Sequence, residues 1–277
     1  MILNFTKMHG LGNDFMVVDL INQTMNLTPK HIKELADRHR GVGFDQLLCL
    51  IPARDPKNDF GYRIFNADGS EAEHCGNGAR CVARFAHDRG ITRKSAMQVE
   101  TLAGVLELIL QEHRQVRVNM GRPIFEPEAI PFQAHQVALD YKLPIFDATI
   151  TLSVVSMGNP HAVLLVDDIQ EAPVERLGPI IEKHPSFPHG TNVGFMQILS
   201  PNRIALRVFE RGAGETLACG TGACAAVVVA RNLDLVKERV TVCLPGGELT
   251  VQWEGEQNPV WVTGPAMNVF RGELLLD

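Results

Sequence analysis

The chain carries one passage twice. Arg63-Ile64-Phe65-Asn66, then Glu71, then Cys75-Gly76-Asn77-Gly78-Ala79, returns 144 positions later as Arg207-Val208-Phe209-Glu210, Glu215 and Cys219-Gly220-Thr221-Gly222-Ala223. Val42-Gly43-Phe44-Asp45-Gln46-Leu47-Leu48 is matched by Val193-Gly194-Phe195-Met196-Gln197-Ile198-Leu199, and Gly12-Asn13 before an apolar run by Gly158-Asn159 before another. The blocks keep one order in both halves, which chance does not produce, and the period is too long for a solenoid. The chain therefore reads as two copies of one fold. The boundary falls near 121–131, where Pro123, Pro127 and Pro131 punctuate it. We assign 1–120 with 265–277 to an N-terminal half carrying Cys75, and 121–264 to a C-terminal half carrying Cys219.

Each copy predicts the same succession of elements. Phe15 to Leu20 and Ala162 to Val166 are short apolar runs suited to buried strands. Thr28-Pro29 starts a helix, with a hydroxyl cap and proline at the first helical position. Ile32, Leu35, Ala36 and His39 share its face, and Gly41 ends it. Strands follow at Gln46 to Ile51 and Tyr62 to Asn66, then the Cys75 segment, then a helix through Ala79, Val82, Ala83 and Ala86 closed by Gly90. The second copy gives strands at Val193 to Leu199 and Ile204 to Phe209, then a helix from Ala223 to Arg231. That helix is apolar nearly all round, so it must be buried on every side. Val99 to Leu108 and Val240 to Leu249 both read as strand, glycine turn, strand. The fold class is α+β: two pseudo-symmetric duplicated domains, each a curved, mostly antiparallel, barrel-like sheet around a central helix.

Composition narrows the function. With 45% hydrophobic and 21% charged residues among 277, the chain can bury a core. The net charge of −6 and the lack of a basic run argue against a nucleic-acid partner. No apolar stretch is long enough to span a bilayer, and Met1 to Lys7 lacks a signal-peptide pattern, so we expect a cytoplasmic protein. Its six cysteines are then expected to be reduced thiols.

Two of those thiols stand apart. Cys75 and Cys219 each precede a Gly-x-Gly at the start of a helix. Unpaired N–H groups and the helix dipole favour a carboxylate there, and the same field lowers a thiol pKa. The glycines allow close approach of a ligand. Duplication predicts the two helix starts facing each other across the domain interface, with one thiol on each side of a bound anion. That arrangement suits removal of a proton from one face of an amino-acid α-carbon and return of a proton to the other. No Schiff-base lysine motif or nucleotide fingerprint is evident, so no cofactor is called for. The spacings Cys75 to Cys81 and Cys219 to Cys224 suit no common zinc ligand pair, and no metal is expected. A redox disulfide remains a competing reading. Cys49, Cys81, Cys224 and Cys243 read as packing residues. His161 is open between a core and a site role, and the other nine histidines have none.

Met8-His9-Gly10-Leu11-Gly12-Asn13-Asp14-Phe15, Phe65-Asn66-Ala67-Asp68-Gly69-Ser70, Cys75-Gly76-Asn77-Gly78-Ala79-Arg80, Gly158-Asn159-Pro160-His161 and Glu210-Arg211-Gly212-Ala213-Gly214-Glu215-Thr216 closely resemble the diaminopimelate epimerase family, and the likeness runs end to end. The resemblance implies cofactor-independent conversion of LL-diaminopimelate to the meso form, in lysine and peptidoglycan-precursor biosynthesis. It implies Cys75 as proton donor and Cys219 as acceptor, with roles exchanged in reverse. Gly76-Asn77 and Gly220-Thr221 match backbone donors to the reacting carboxylate. Glu210 and the Arg211 carbonyl match partners of the reacting ammonium. Asn66, Asn159, Asn192 and the Arg211 side chain match recognition of the distal centre, and Asn13 and Gln46 further substrate contacts. His161 and Glu210 resemble residues that assist the thiols. A homodimer is also implied, with Phe270 standing where relatives often carry tyrosine at the dimer contact. The competing functions are another racemase of the wider superfamily, such as a proline racemase, and a non-catalytic amino-acid-binding protein.

Overall fold

The computed structural model describes residues 2–72 and 75–276. Met1, Glu73, His74 and Asp277 lie outside the described residues, and with them the outer ends of the N-terminal half and one of the histidines given no role. The chain forms two compact units, Met1–Val118 with Thr263–Asp277, and Asn119–Val262.

The first unit is a mostly antiparallel sheet whose strands pack against one buried helix, with a second helix in a crossover. Ile2–Gly10 pairs antiparallel with Asn13–Asp19 on one side and with Met267–Leu275 on the other. Leu11 and Gly12 turn the hairpin with φ of 57° and 89°, a left-handed pair that favours glycine at the second position. Asn13–Asp19 runs parallel to Gln46–Ile51, so the connection must cross over, and it does so through α1, Pro29–Ala36. Thr28 Oγ1 accepts from the His31 amide while His31 Nδ1 accepts from the Thr28 amide, a reciprocal cap. The helix stops at Ala36, short of the expected His39 and Gly41. The Asp37 carboxylate accepts from the His39 and Arg40 amides at 2.8 and 3.0 Å and pulls the chain into a turn instead.

Gln46–Ile51 then pairs antiparallel with Phe60–Asn66. A second parallel crossover leads to Ala96–Thr101 through α2, Gly76–Asp88. The hairpin Ala96–Thr101 and Gly104–Leu110 completes this side. α2 buries Ala79, Cys81, Val82, Ala83, Phe85 and Ala86 among the strands around it. Gly90 closes the helix with φ of 71°.

The second unit repeats this plan. Pro160–Leu165 runs parallel to Asn192–Ser200, and Arg203–Glu210 runs parallel to Arg239–Leu244, which continues into Gly247–Gln252. The first crossover carries α3, Val174–Glu182, the counterpart of α1. Sequence patterning gave no sign of α3, because Pro179 interrupts its apolar period from within. The second crossover carries α4, Gly220–Asn232, buried continuously from Gly220 to Ala230. Burying an aliphatic side chain of this kind stabilises by roughly 1.5–3 kcal/mol, so a helix with no solvent face is favoured only inside such a sheet. Cys49, Cys81 and Cys224 are core residues. Cys243 is not: it is half-buried, with its sulfur 3.7 Å from Glu248 Oε1, because its strand presents it to the partly open face.

Candidate active site

Cys75 and Cys219 are the N-cap residues of α2 and α4. Each has extended backbone, and each sulfur accepts from the amide three residues on, Gly78 N and Gly222 N, both at 3.3 Å. A thiol thus fills the place usually taken by a hydroxyl or carboxylate, next to the positive end of the helix. The second glycine of each motif sits in a tight place. A Cβ on Gly222 would lie 3.0 Å from Val208 Cγ2 and 3.2 Å from Cys219 Sγ, and one on Gly78 would lie 3.1 Å from Leu48 Cδ2 and 3.5 Å from Cys75 Sγ.

Around Cys75, the first unit gathers Asn13, Asn77, Gln46 and Asn66. Asn13 Oδ1 accepts from Cys75 Sγ at 3.8 Å and from Asn77 Nδ2 at 3.3 Å, while Asn13 Nδ2 donates to Asp45 Oδ2 at 2.9 Å. Asn66 Oδ1 accepts from Gln46 Nε2 at 2.9 Å, and Asn66 Nδ2 donates to Ser70 Oγ at 3.1 Å. Gln46 Oε1 is buried without a hydrogen-bond partner among the described residues, an acceptor left for a donor from elsewhere. An ionic network braces Asn13 from behind. Arg38 bonds both Asp14 and Asp45 at 2.8 Å, and Lys7 bonds Asp14 at 2.5 Å and the Gly43 carbonyl. Burial alone would raise the Asp14 carboxyl, but hydrogen bonds from Arg38 and Lys7 outweigh it and hold the group well below the usual carboxylate range. Sequence reading missed Asp14 and Asp45 as supports. Their only signal was a place beside Asn13 and Gln46.

Around Cys219, the second unit gathers Thr221, Asn159, His161, Asn192, Glu210 and Arg211. Cys219 Sγ lies 3.5 Å from Thr221 Oγ1, which accepts from Asn159 Nδ2 at 3.4 Å. Asn159 Oδ1 in turn lies 3.0 Å from His161 Nε2. The parallel pairing of Pro160–Leu165 with Asn192–Ser200 sets His161 opposite Asn192. Asn192 Oδ1 accepts from the Arg211 amide at 3.0 Å, and its Nδ2 donates to the Pro160 carbonyl at 2.9 Å. Thr216 Oγ1 donates to Glu210 Oε1, a contact that sequence reading did not foresee.

The second site departs from expectation in one respect. The field at the head of α4 was expected to lower the thiol pKa, yet Cys219 is held well above the ordinary thiol value. Burial is the larger cause, and the Glu210 charge adds to it, outweighing hydrogen bonds from Thr221 and Gly222. Burial, with the Arg211 charge, also drives His161 down to about 3. His161 is therefore neutral, with Nε2–H donating to Asn159.

Sequence and structure comparisons agree with this architecture. The family model described as diaminopimelate epimerase matches residues 5–126 and 153–269. The chain belongs to the diaminopimelate epimerase family. Members of that family from Ectopseudomonas mendocina and Nitrosospira multiformis are 56% and 55% identical to it, in each case over the whole of both chains. Among solved structures, a hydroxyproline epimerase from Agrobacterium vitis superposes with a TM-score of 0.71 at 17% identity, covering 100% of this chain and 93% of that one. A Bacillus anthracis protein of the PhzF family, involved in phenazine biosynthesis, gives 0.71 at 16% identity over the whole of both chains. At such identities these two share the fold. Of the positions that the family resemblance marks, Cys75, Gly76 and Asn77 stand at the head of α2 and Cys219, Gly220 and Thr221 at the head of α4.

Proposed function

We propose that the chain converts LL-diaminopimelate to meso-diaminopimelate by a two-base reaction without a cofactor. The observation that carries this reading is the repeated thiol N-cap, supported by full-length relatives that bear the epimerase name. As LL substrate becomes meso, Cys219 takes the α-proton and Cys75 delivers one to the opposite face; the reverse reaction exchanges the roles. Backbone amides of Gly76-Asn77 and Gly220-Thr221 hold the reacting carboxylate, and Glu210 with the Arg211 carbonyl holds the reacting ammonium. Asn66, Asn159, Asn192 and the Arg211 side chain hold the distal centre, with Asn13 and Gln46 alongside.

The high pKa of Cys219 suits its role. A thiolate that is costly to form is a strong base once formed, and abstraction from carbon needs one. Neutral His161 fixes Asn159, and through it Thr221, without adding charge. The reaction belongs to a cytoplasmic step of lysine and peptidoglycan-precursor synthesis. The working form is a homodimer, in which Phe270, half-exposed and edge-on to Phe5 at 5.9 Å, packs at the contact. Among the described residues no helix is long and apolar enough to cross a membrane.

Incubation with LL-diaminopimelate in deuterated water tests the reading. Meso product carrying one deuterium at the inverted carbon is expected. Substrate recovered unexchanged under reducing conditions would refute it.

A further inference from the structure

The hairpins that precede the two thiols match in register and differ in chemistry. In the second unit Arg203–Glu210 pairs antiparallel with Gly214–Thr216, with Val208 opposite Thr216. In the first unit Phe60–Asn66 pairs in the same way with Glu71–Ala72, and Ile64 stands opposite Ala72, 144 positions earlier. Where the first copy has Asn66 and Ala72, the second has Glu210 and Thr216. A carboxylate and a hydroxyl thus enter together, and they are in contact: Thr216 Oγ1 donates to Glu210 Oε1. In the first copy Gln46 and Ser70 hold Asn66 instead.

Side chains alternate between the faces of a strand, which places this contact. Phe209 and Glu215 share one face, where a Cβ on Gly178 of α3 would lie 2.6 Å from Phe209 Cγ. Val208 is on the other, where a Cβ on Gly222 of α4 would lie 3.0 Å from its Cγ2. Glu210 and Thr216 are diagonal neighbours on the Val208 face, so both are turned to the head of α4. We propose that Thr216 is a positioning residue for Glu210, its hydroxyl holding the carboxylate beside Cys219 and the reacting ammonium. This rests on the two-thiol reading above and deepens it.

The hydroxyl acts in two ways. It gives a half-buried carboxylate at a strand end one heading, and as a donor it favours the ionised form. After burial, the Glu210 charge is the largest cause of the raised Cys219 thiol, so Thr216 keeps that thiol a strong base once ionised. The groups around them do not supply the same effect. Hydrogen bonds from Thr221 and Gly222 to the sulfur act the other way. His161, linked through Asn159 and Thr221, is neutral. Arg211, next to Glu210 on the chain, donates to the His189 carbonyl, and Glu182 of α3 accepts from the Gly212 amide. Arg207 and Glu215 pair with each other on the opposite face, and Cys224, farther along α4, is a core residue.

Iodoacetamide alkylation of Cys219 across pH, resolved by peptide mass spectrometry, tests this without any substrate. Its result is therefore independent of the deuterium experiment. Thr216→Val keeps the branched shape and removes the hydroxyl. The Cys219 midpoint is expected to fall by about one pH unit, because the neighbouring charge is no longer fixed or fully ionised. Thr216→Ser keeps the hydroxyl and should titrate as the native chain does. In the deuterium assay Thr216→Val should lose about tenfold in kcat/KM, and Thr216→Ser should keep most of it. A Cys219 midpoint unmoved in Thr216→Val, or moved equally in Thr216→Ser, would overturn the proposal, as would native kcat/KM in Thr216→Val. Should Thr216→Val fail to fold, Thr216→Ala is read by the same standard, since the first copy carries alanine at this register.

Discussion

Arg207 holds Glu215 by two parallel bonds, Nε to Oε1 at 2.7 Å and Nη2 to Oε2 at 2.9 Å, and 144 positions earlier Arg63 holds Glu71 with the same two atoms at the same two distances. Each bridge spans the turn between a long strand and the short one that leads to the thiol. In the second unit Arg207 Nη1 also reaches the Ile169 carbonyl, tying the turn to the α3 side. Both partners there are only half-exposed, less open than Arg63 and Glu71, so removing one leaves a charge partly desolvated. Glu215→Gln should cost about 1–2 kcal/mol in urea unfolding, and Glu71→Gln, on the more exposed bridge, less. Equal costs at the two sites would show that exposure does not set the difference.

Gly222 offers a sharper separation of stability from chemistry. Alanine is better than glycine inside a helix by up to about 1 kcal/mol. Here its Cβ would lie 3.2 Å from the Cys219 sulfur and 3.0 Å from Val208, so the sulfur must shift by a few tenths of an ångström. Gly222→Ala should therefore lower kcat by about tenfold or more while changing the melting temperature little. A variant that kept native turnover would show that the sulfur position tolerates that shift.

The legible parts of this structure were those written as repetition or as strong local chemistry. The repeated blocks exposed the duplication, and the unbroken Ala225 to Ala230 run could only be a buried helix. The thiol N-caps were legible because cysteine before Gly-x-Gly has no packing rationale in both copies. The electrostatic environment was not legible. The Cys219 pKa depends on burial and on Glu210, nine residues away in sequence and next to the thiol only because a strand and a helix start converge. The cut-off of α1 at Ala36 was equally hidden, since an aspartate turn competed successfully with a helical pattern that ran on to His39.

His161 makes acid stability testable. Its folded pKa lies near 3 against about 6.5 unfolded, so between those values the unfolded chain binds a proton that the folded one does not. Stability is unaffected by this group above about pH 6.5 and falls as pH drops below it, by about 1.4 kcal/mol per pH unit, until about pH 3. Urea midpoints measured from pH 7 to pH 5 should show this slope, and His161→Gln should flatten it by one proton. Parallel slopes in the two proteins would assign the acid limb to other groups.

Cys75→Ala and Cys219→Ala should each abolish epimerisation and leave the fold intact. Inversion needs both faces of the α-carbon served, so neither thiol replaces the other. Serine at either place keeps the N-cap geometry but loses most activity, since a hydroxyl is a much weaker acid. Circular dichroism with the deuterium assay separates folding from chemistry. Near-native turnover in Cys75→Ala would end the two-base reading.

Substrate choice should rest on Arg211. Its side chain is exposed, yet Nη1 donates to the His189 carbonyl at 3.0 Å, and Gly190, with φ of 71°, leaves room for its stem, since a Cβ there would lie 3.1 Å from Arg211 Cδ. The backbone amide of the same residue is held by Asn192 Oδ1. The guanidinium is thus steered while its other N–H groups remain available to a distal carboxylate in two-point contact, which a lysine cannot reproduce. Arg211→Lys should lower kcat/KM for LL-diaminopimelate by about 2 kcal/mol or more, some thirtyfold, through the loss of a charged hydrogen bond. Alanine, proline and glutamate lack the distal amino-acid centre and would leave Arg211 and the asparagines beside it unmatched, a deficit that such sites turn into discrimination by orders of magnitude. The deciding comparison is kcat/KM on LL-diaminopimelate against proline under the same reducing conditions. A native enzyme that preferred proline would overturn the substrate assignment and leave the chemistry of the two thiols standing.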